Sequence, residues 1–391
     1  MVMKPPPSRP SAPQVHDLIT ALLGDDLHAK RILSLSNGVM GVLEGAVLGV
    51  RAIGQGLALA RGLDPKHATK QVDRMLSNEG IDLDTVFPVW IAHLLEDRAK
   101  ADVLLDWTDF DGDDHTTLML SLRVDRGRSE PLIWRTVQKS ALKGNRNRFE
   151  DELLEAFAKS APEGVAFTVL ADRGFADQAL FSFLETLGFN YIIRLRSNIT
   201  VHSKTGEARL AKDWVHRRGW ATAIREAAVT QEATPVGCVV TVRDKSMQDP
   251  WILACSDQNI DARDAIKRYG KRFTCEELYR DVKDPRFGMG MRWGRVSRTD
   301  RRDRMWLLAT LAVHLLTLLG EAGEDTGISK SFRSGSSGKR QYSLFKQGAF
   351  WYLQIPTMPE KRLRPLMQAF NARIMRHKAF RSAIGFDPEE Q

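Results

Sequence analysis

Cysteine is scarce in this chain of 391 residues, which contains only Cys238, Cys255 and Cys275. None of the three belongs to a C-x-x-C pair, and no paired histidines lie near them in the sequence. The pattern therefore indicates neither a cysteine-based zinc site nor a disulfide framework. We expect the protein to work in a reducing compartment.

The chain also lacks an apolar run long enough to cross a bilayer. Its longest apolar run, residues 306–319, is interrupted by His314 and is shorter than the roughly 20 residues of a membrane span, which predicts a buried helix. The Pro-rich residues 1–14 contain no apolar core of signal-peptide length and are predicted to form a flexible arm. We expect a cytoplasmic protein with no membrane partner.

Acidic residues are outnumbered by basic ones. The chain has 57 Lys and Arg against 49 Asp and Glu, a net charge of +8, which suits a polyanionic partner but does not prove one. Position is more informative than the total, because seven arginines crowd one segment that contains only two aspartates. These arginines are Arg286, Arg292, Arg295, Arg298, Arg301, Arg302 and Arg304. Their local excess favours a phosphate backbone as partner.

Residues 15–100 have apolar residues at helical spacing and no strand alternation, which predicts a separate all-helical, DNA-binding domain. Within it, Asp64 and Pro65 predict the N-cap and the first turn of a helix over residues 66–78. Three basic residues repeat every four positions along that helix: Lys66, Lys70 and Arg74. They form either a DNA-contacting face or a solvated basic face.

Strand patterns begin near residue 101. Three apolar runs with short polar connections predict a meander, and alternating helix and strand patterns follow as far as residue 196. The order βββαβαβ predicts an α/β fold with a mixed sheet flanked by helices, the layout of the ribonuclease-H-like fold. Residues 197–257 alternate polar and apolar residues, which predicts a small antiparallel β insertion.

These patterns predict a division into an arm, a helical domain, an interrupted core and a C-terminal helical region for which we expect a role in dimerisation. The predicted boundaries are 1–14 for the arm, 15–100 for the helical domain, 101–196 and 258–325 for the two parts of the core, 197–257 for the β insertion and 326–391 for the C-terminal region.

Residues 261–283 predict a single helix that begins at an N-cap, Asp261, and ends before Pro285. At about 100° per residue, five polar side chains fall within roughly 80° of one another on its circumference. They are Tyr269, Arg272, Glu276, Arg280 and Lys283. One carboxylate therefore lies among four groups able to contact phosphate, although a solvated face with Glu/Arg pairs is the alternative.

Two aspartates lie on apolar strands that a ribonuclease-H-like sheet would place side by side, one inside its strand and the other at the end of its strand. Asp106 follows the apolar start of the first strand, and Asp172 ends the fourth in the run VLADRGF. A carboxylate within an apolar strand is costly unless it binds a cation or hydrogen-bond donors. Together with Glu276 from the predicted helix, the two aspartates could hold two divalent cations, and Mg²⁺ fits such an all-oxygen ligand set.

The sequence resembles the cut-and-paste DDE transposases of bacterial insertion sequences, specifically the insertion-sequence-four family and its Tn-ten-like branch. The first aspartate lies in DWTDF and the second in ADRGF. The glutamate lies in the signature Y-x-x-R-x-x-x-E-x-x-x-x-x-x-K, which Tyr269, Arg272, Glu276 and Lys283 meet. The resemblance extends from RMLSN through PWILA to FGMGMRWGR.

This resemblance implies that Asp106, Asp172 and Glu276 are the catalytic, metal-binding triad, with two Mg²⁺ ions per active site for which Mn²⁺ can substitute. It implies nicking of the transposon end, hairpin formation by the freed 3′-hydroxyl, reopening of the hairpin and strand transfer into target DNA. The implied partners are the terminal inverted repeats, the target DNA and a second copy of the chain. The implied location is the bacterial cytoplasm, on the nucleoid when DNA is bound.

The resemblance also implies DNA contacts. Tyr269, Arg272 and Lys283 would hold the strand near the cleaved end, whereas Arg280 shares their face but lies outside the signature and would be a supporting contact. Further contacts are expected from Arg292, Arg295 and Arg298.

Hairpin formation needs a base out of the stack, and a tryptophan can catch such a base by stacking. Trp251, in PWILA, lies at the matching place in the β insertion, and Trp214 and Trp220 are the alternatives. A plain core role is the other interpretation of a strand tryptophan.

Two other functions compete with a transposase. A non-catalytic DNA-binding regulator, or a domesticated relative, would keep end recognition but need no triad, and all three carboxylates are present. A ribonuclease-H-like nuclease without strand transfer would share the triad but would have no need of the complete signature or of the β insertion.

Overall fold

The computed structural model describes residues 10–333 and 340–383. The first nine residues of the predicted arm and the last eight of the C-terminal region lie outside the described residues. The division into domains stays a prediction.

Five helices form the N-terminal part of the fold. They are α1 (Ala12–Leu23), α2 (Ala29–Gly45), α3 (Val50–Arg61), α4 (Pro65–Leu76) and α5 (Leu83–Leu95). The predicted arm is too long at its C-terminal end, because Ser11 caps α1 in a reciprocal capping box with Gln14. The predicted cap of α4 is confirmed, since the Asp64 carboxylate accepts a hydrogen bond from the backbone N–H of His67 at 2.9 Å.

One mixed sheet of ten strands forms the centre of the molecule, in the order β3-β2-β1-β4-β5-β10-β9-β8-β6-β7. The strands are β1 (Lys100–Phe110), β2 (His115–Arg123), β3 (Ser129–Gln138), β4 (Ala166–Ala171), β5 (Asn190–Arg194), β6 (Thr200–His202), β7 (Ala208–Leu210), β8 (Thr222–Val229), β9 (Thr234–Val242) and β10 (Trp251–Cys255). Strands β1, β4 and β5 are parallel, whereas β1, β2 and β3 form an antiparallel meander. This mixed α/β architecture fits the predicted ribonuclease-H-like layout.

The predicted β insertion is not a separate small sheet. Its strands are antiparallel, as expected, but β10 pairs with β5 in the register Cys255 to Ile192 and Leu253 to Arg194. Most residues of β10 and the C-terminal half of β9 are buried. The pairing of β10 with β5 on one side and with β9 on the other satisfies the backbone hydrogen bonds of this buried strand. Residues 197–257 therefore extend the central sheet.

Eight further helices cover the sheet and complete the fold. They are α6 (Arg146–Ser160), α7 (Gln178–Thr186), α8 (Ala262–Gly270), α9 (Thr274–Lys283), α10 (Thr299–Asp325), α11 (Leu344–Gln354), α12 (Glu360–Ile374) and α13 (Lys378–Ala383). Helices α11 and α12 pack on α10, so the C-terminal region rests on the longest helix of the core.

The single helix predicted for residues 261–283 is wrong. The predicted cap is present, because Asp261 accepts hydrogen bonds from two backbone N–H groups, but a 3-10 turn over Lys271–Phe273 separates α8 from α9. The break follows Gly270, the weakest helix former of the stretch, against which the Trp251 ring packs. Because a 3-10 turn has about three residues per turn, it alters which side chains of α8 and α9 share a face.

Helix α10 is the buried core helix expected for residues 306–319, but it is longer than that run. By length and composition alone its 27 residues could cross a membrane, yet 89% of its most apolar stretch is buried inside the protein. A core helix passes the same test, so this is weak evidence for a span. Helices α2 and α3, taken together as one bent segment, also meet these criteria of length and composition, with a bend of 92° between them.

Several arginines of the basic segment stabilise the fold instead of facing solvent. Arg302 is completely buried, pairs with Asp113 and lies 4.1 Å from the centre of the Phe110 ring. Arg304 is also buried and donates to backbone carbonyls, including that of Leu76 at 3.0 Å. Arg301 pairs with Asp73 at 2.6 Å. Counting arginines by sequence therefore overstated the charge available to a phosphate backbone.

We expect Arg302→Met to lower the free energy of unfolding by about 3–5 kcal/mol, because it leaves the nearly buried Asp113 carboxylate without its cation. Urea unfolding followed by circular dichroism measures the loss. In the control Arg135→Met, a half-exposed pair with Glu152 is removed, and a loss of about 0–1 kcal/mol is expected. Equal losses in the two variants would show that the buried pair has no special role.

Candidate active site

The register of two strands brings two aspartates to one edge of the sheet. Strands β1 and β4 run parallel, and Leu105 pairs with Ala171. The next residues of each chain segment, Asp106 and Asp172, therefore lie side by side where β4 ends. Asp172 also caps the turn that follows, since its carboxylate accepts a hydrogen bond from the N–H of Gly174 at 2.7 Å.

Helix α9 brings the third carboxylate to the same edge. The Tyr279 hydroxyl donates to the backbone carbonyl of Asp106 at 3.4 Å, and the Cys275 thiol donates to the Asp106 carboxylate at 3.3 Å. Glu276 follows Cys275 directly and is half-exposed. The structure thus brings together the three carboxylates that the sequence assigned to the triad.

A guanidinium lies between two of these carboxylates. Arg272 donates to the Glu276 carboxylate at 2.7 Å and lies 3.8 Å from that of Asp106. Its side chain is only 7% exposed, and its Nε is buried without a hydrogen-bond partner. Arg272 is therefore a fixed part of the site, since a buried cation held by two carboxylates has little freedom to reach for a distant ligand.

The Asp106 carboxyl is buried in surroundings that only partly compensate for its lost hydration. Its pKa is raised to about 6, chiefly by burial and to a smaller extent by nearby Asp172 and Glu276, while Arg272 and the Cys275 thiol act in the opposite direction. A raised pKa means that the ionised form lacks compensating positive charge. A divalent cation beside Asp106 would supply that charge.

The donor set fits a hard divalent cation. Asp106, Asp172 and Glu276 offer carboxylate oxygens only, the ligands that Mg²⁺ and Mn²⁺ prefer. Together they carry three negative charges against the single positive charge of Arg272. Both the donor chemistry and the charge of the ionised site therefore suit a divalent cation.

Two of the predicted phosphate contacts are buried instead. Lys283 is 5% exposed and donates to the Thr108 hydroxyl at 2.7 Å and to the Asp109 carbonyl at 2.6 Å. Burial, aided by nearby Arg292, lowers the pKa of Lys283 to about 8. Tyr269 is 1% exposed. Both side chains are therefore buried parts of the fold next to the site.

The remaining predicted contacts lie on the surface. Arg280 is exposed and pairs with Glu277 on its own helix. Arg292 and Arg295 are exposed, whereas Arg298 is exposed but forms ion pairs with Asp300 and Glu79. On α4 the three basic residues at four-residue spacing are exposed while the opposite face is buried: Lys66, Lys70 and Arg74.

The tryptophans of the extended sheet differ in exposure. Trp251 is half-buried, with its ring 5.0 Å from Tyr269 edge-on and 6.1 Å from the partly exposed Phe273. Trp214 is half-buried and donates to a backbone carbonyl, whereas Trp220 is 59% exposed and stacks on His216. Trp251 is the one of the three that contacts a residue of the signature.

The sequence interpretation missed a basic cavity beside the triad. Three arginines at the ends of strands β4 and β5 line it: Arg173, Arg194 and Arg196.

The cavity that these arginines line has a volume of about 240 Å³, and Ser197 and Asn198 add polar groups to it. Arg194 is held in place by donating to the Pro250 carbonyl at 3.3 Å, next to Trp251. The sequence does contain a signal for this cavity, because the arginines lie within two residues of the ends of β4 and β5. Arginine groups at such an edge suit phosphate oxygens.

Comparison with known protein families bears on the same region. Residues 126–315 match the family model described as the transposase DDE domain. This match supports a DDE transposase. The matched span covers just under half of the chain and includes Asp172 and Glu276, whereas Asp106 precedes it. No curated protein is significantly similar to the chain. DDE transposases act on DNA and generally use divalent metals, which agrees with the carboxylate site.

We expect the affinity of the site for Mg²⁺ to fall as the pH drops below about 6, by about tenfold per pH unit if one proton is displaced. The sign follows from Asp106, whose pKa is raised to about 6, so that the folded protein holds a proton there below this pH and the metal must displace it. Calorimetric titration with Mg²⁺ at several pH values measures the midpoint.

The variant Cys275→Ala removes a hydrogen bond that lowers the pKa of Asp106, so its midpoint should move to higher pH. The control Asp109→Asn should leave the midpoint unchanged, because Asp109 lies outside the triad and pairs with Lys139. A midpoint near 4 in the parent protein would contradict the assignment of Asp106 as a buried ligand.

Proposed function

We propose that this protein is a cut-and-paste DNA transposase of the insertion-sequence-four family and its Tn-ten-like branch. The observation that carries the proposal is the convergence of Asp106, Asp172 and Glu276 at one edge of the sheet, with Arg272 between two of them. The family match of residues 126–315 supports it. The sequence signature that contains Glu276 carries the narrower assignment to the branch.

In this proposal the three carboxylates hold two Mg²⁺ ions, and Mn²⁺ can replace them. Bound in pairs, such ions activate a water or a 3′-hydroxyl and stabilise the leaving oxygen of an in-line displacement. Asp106 is the ligand with the least freedom, because it lies within β1 and receives hydrogen bonds at its backbone and its carboxylate from α9. Glu276, half-exposed on α9, can adjust to the metal.

Basic side chains around the triad have two separate tasks. Arg272 and Lys283 are buried and position the ligands, since Arg272 holds Glu276 while Lys283 holds β1 through the Thr108 hydroxyl and the Asp109 carbonyl. The exposed Arg173 and Arg196 lie beside Asp172 and would bind the phosphates of the DNA end. Two forked guanidinium groups suit successive phosphates better than point charges do.

Transposition of this kind passes through a hairpin, for which one base must leave the stack. Trp251 lies next to Arg194 and against Tyr269, so a base displaced beside the triad would meet an aromatic ring there. The partly exposed Phe273 extends the aromatic surface. We assign the catching of the flipped base to Trp251.

Further DNA contacts complete the proposal. The terminal inverted repeat would run along α4, and the exposed arginines beyond α9 would contact its backbone. The residues concerned are Lys66, Lys70, Arg74, Arg280, Arg292, Arg295 and Arg298. Two copies of the chain would pair two transposon ends, with the C-terminal helices as the dimer contact, in the cytoplasm on the nucleoid.

A non-catalytic DNA-binding regulator is the competing proposal. It would require the basic surfaces but no triad, and it gives no account of a buried Asp106 surrounded by two further carboxylates. A plain nuclease would use the triad but leave no joined or hairpin products. Product analysis separates all three functions.

We expect the protein to release a double-stranded fragment with hairpin ends when it is incubated with Mg²⁺ and DNA that carries its terminal repeats. Asp106→Asn and Glu276→Gln should each reduce cleavage by at least about a hundredfold, because loss of a ligand exceeds the loss caused by its supporting groups. Denaturing gels of end-labelled DNA measure nicks, hairpins and joined products separately.

The matched control is Glu277→Gln, which changes the neighbouring glutamate on the same helix and should keep cleavage activity. Nicks without hairpins or joined products would favour the plain nuclease. DNA binding without cleavage in the parent protein would favour the regulator.

We expect the triple variant of α4, Lys66→Gln with Lys70→Gln and Arg74→Gln, to weaken DNA binding and to flatten its salt dependence. Each lost phosphate contact lowers the slope of log affinity against log salt by about 0.9, so the expected change is roughly 2 to 3. Fluorescence anisotropy with labelled DNA at several salt concentrations measures it. A control triple changes exposed lysines on other elements: Lys159, Lys204 and Lys245. Equal slopes in the two triples would mean that α4 is a solvated face.

A further inference from the structure

Three histidines far apart in the sequence meet where three parts of the fold join. His93 lies on α5, His314 on α10, and His377 in the turn between α12 and α13. One ring nitrogen of each lies within 4.8 Å of the others. This histidine cluster is separate in sequence and in lining residues from the carboxylates of the candidate active site.

The spacing inside the cluster is that of ligands around one small cation. The Nε2 atoms of His93 and His314 lie 3.3 Å apart. Bonds of 2.0–2.1 Å in a tetrahedral zinc site place two nitrogens about 3.3 Å apart. Two neutral imidazoles at that distance can share one proton in a hydrogen bond, and a cation in place of that proton would bind both nitrogens.

Carboxylates lie behind two of the three rings. The Nδ1 atom of His377 lies 3.0 Å from the Glu96 carboxylate, and the Nδ1 atom of His314 lies 3.6 Å from that of Glu130. Histidines that bind a metal through one nitrogen commonly contact a carboxylate through the other, which fixes the ring and makes it a better donor. The opposite nitrogen of each ring is thereby left for a ligand role.

His93 is buried, and its Nδ1 has no hydrogen-bond partner among the residues that the structure describes. Burial, with His314 and His377 nearby, lowers the pKa of His93 to about 2, so this imidazole is neutral in the folded protein. The neutral form is the one that binds metals. A chain that merely packed three rings would gain nothing from leaving buried nitrogens without partners.

A cavity of about 390 Å³ opens beside the cluster and gives access to it. His314, His377, Glu96 and Glu130 all lie on its wall. The cavity has room for a water molecule as a fourth ligand and provides a path for a cation from solvent.

We propose that His93, His314 and His377 form a binding site for a first-row transition-metal cation of the Zn²⁺ class. Imidazole nitrogens select such cations over Mg²⁺, which prefers oxygen. The bound cation would join α5, α10 and the turn after α12, and so fasten the C-terminal helices to the N-terminal helices. The proposal goes beyond the transposase function, and its failure would leave the carboxylate site untouched.

The test is a titration of the full-length protein with Zn²⁺, and with Co²⁺ as a spectroscopic substitute, in the presence of excess Mg²⁺ to occupy the carboxylates. We expect one Zn²⁺ per chain, a visible Co²⁺ spectrum of tetrahedral nitrogen coordination, and a higher melting temperature with Zn²⁺ than with a chelator. His377→Gln should lower the affinity at least tenfold, and Glu96→Gln should lower it by about 10- to 100-fold.

His377 is the histidine chosen for substitution because its side chain is 16% exposed and lies in a turn, so that the variant is expected to fold. His216→Gln changes an exposed histidine on another part of the chain and should leave the affinity unchanged. The proposal is overturned if the parent protein binds no Zn²⁺ under these conditions, or if His377→Gln and His216→Gln bind it as the parent does.

Discussion

The parallel pairing of β1 with β4 is the constraint on which the candidate active site depends. Its register places Asp106 beside Asp172, and a shift by one residue would turn one of the two carboxylates to the opposite face of the sheet. Apolar side chains on both faces of these strands fix that register by burial. The core of the protein and the geometry of its site are therefore set by the same contacts.

Charge within this frame is arranged in layers. The carboxylates lie at the edge of the sheet, Arg272 lies between two of them, and Lys283 is bonded to β1 at the Asp109 carbonyl. Each layer is less exposed than Glu276, the outermost ligand. Such an arrangement holds like charges close together without a metal and leaves room for a metal to complete the balance.

Much of this could be predicted from the sequence, because strand alternation and capping are local. The caps at Asp64 and Asp261 and the order of the first strands were predictable for that reason. The break at Gly270 was not, since it depends on a ring packing from β10. Nor was the histidine cluster, whose members His93 and His377 are 284 positions apart in the chain. Spacing along a sequence reveals contacts within one element and misses those made between elements.

The continuity of the sheet from β5 into β10 has a mechanical consequence. Trp251 begins β10 and is connected to the edge bearing Asp172 through backbone hydrogen bonds of neighbouring strands. A sheet connected in this way resists relative movement of its strands far more than a domain on a flexible linker would. The distance between the Trp251 ring and the carboxylates is therefore fixed, and under the proposed function it is the DNA that would bend to span it.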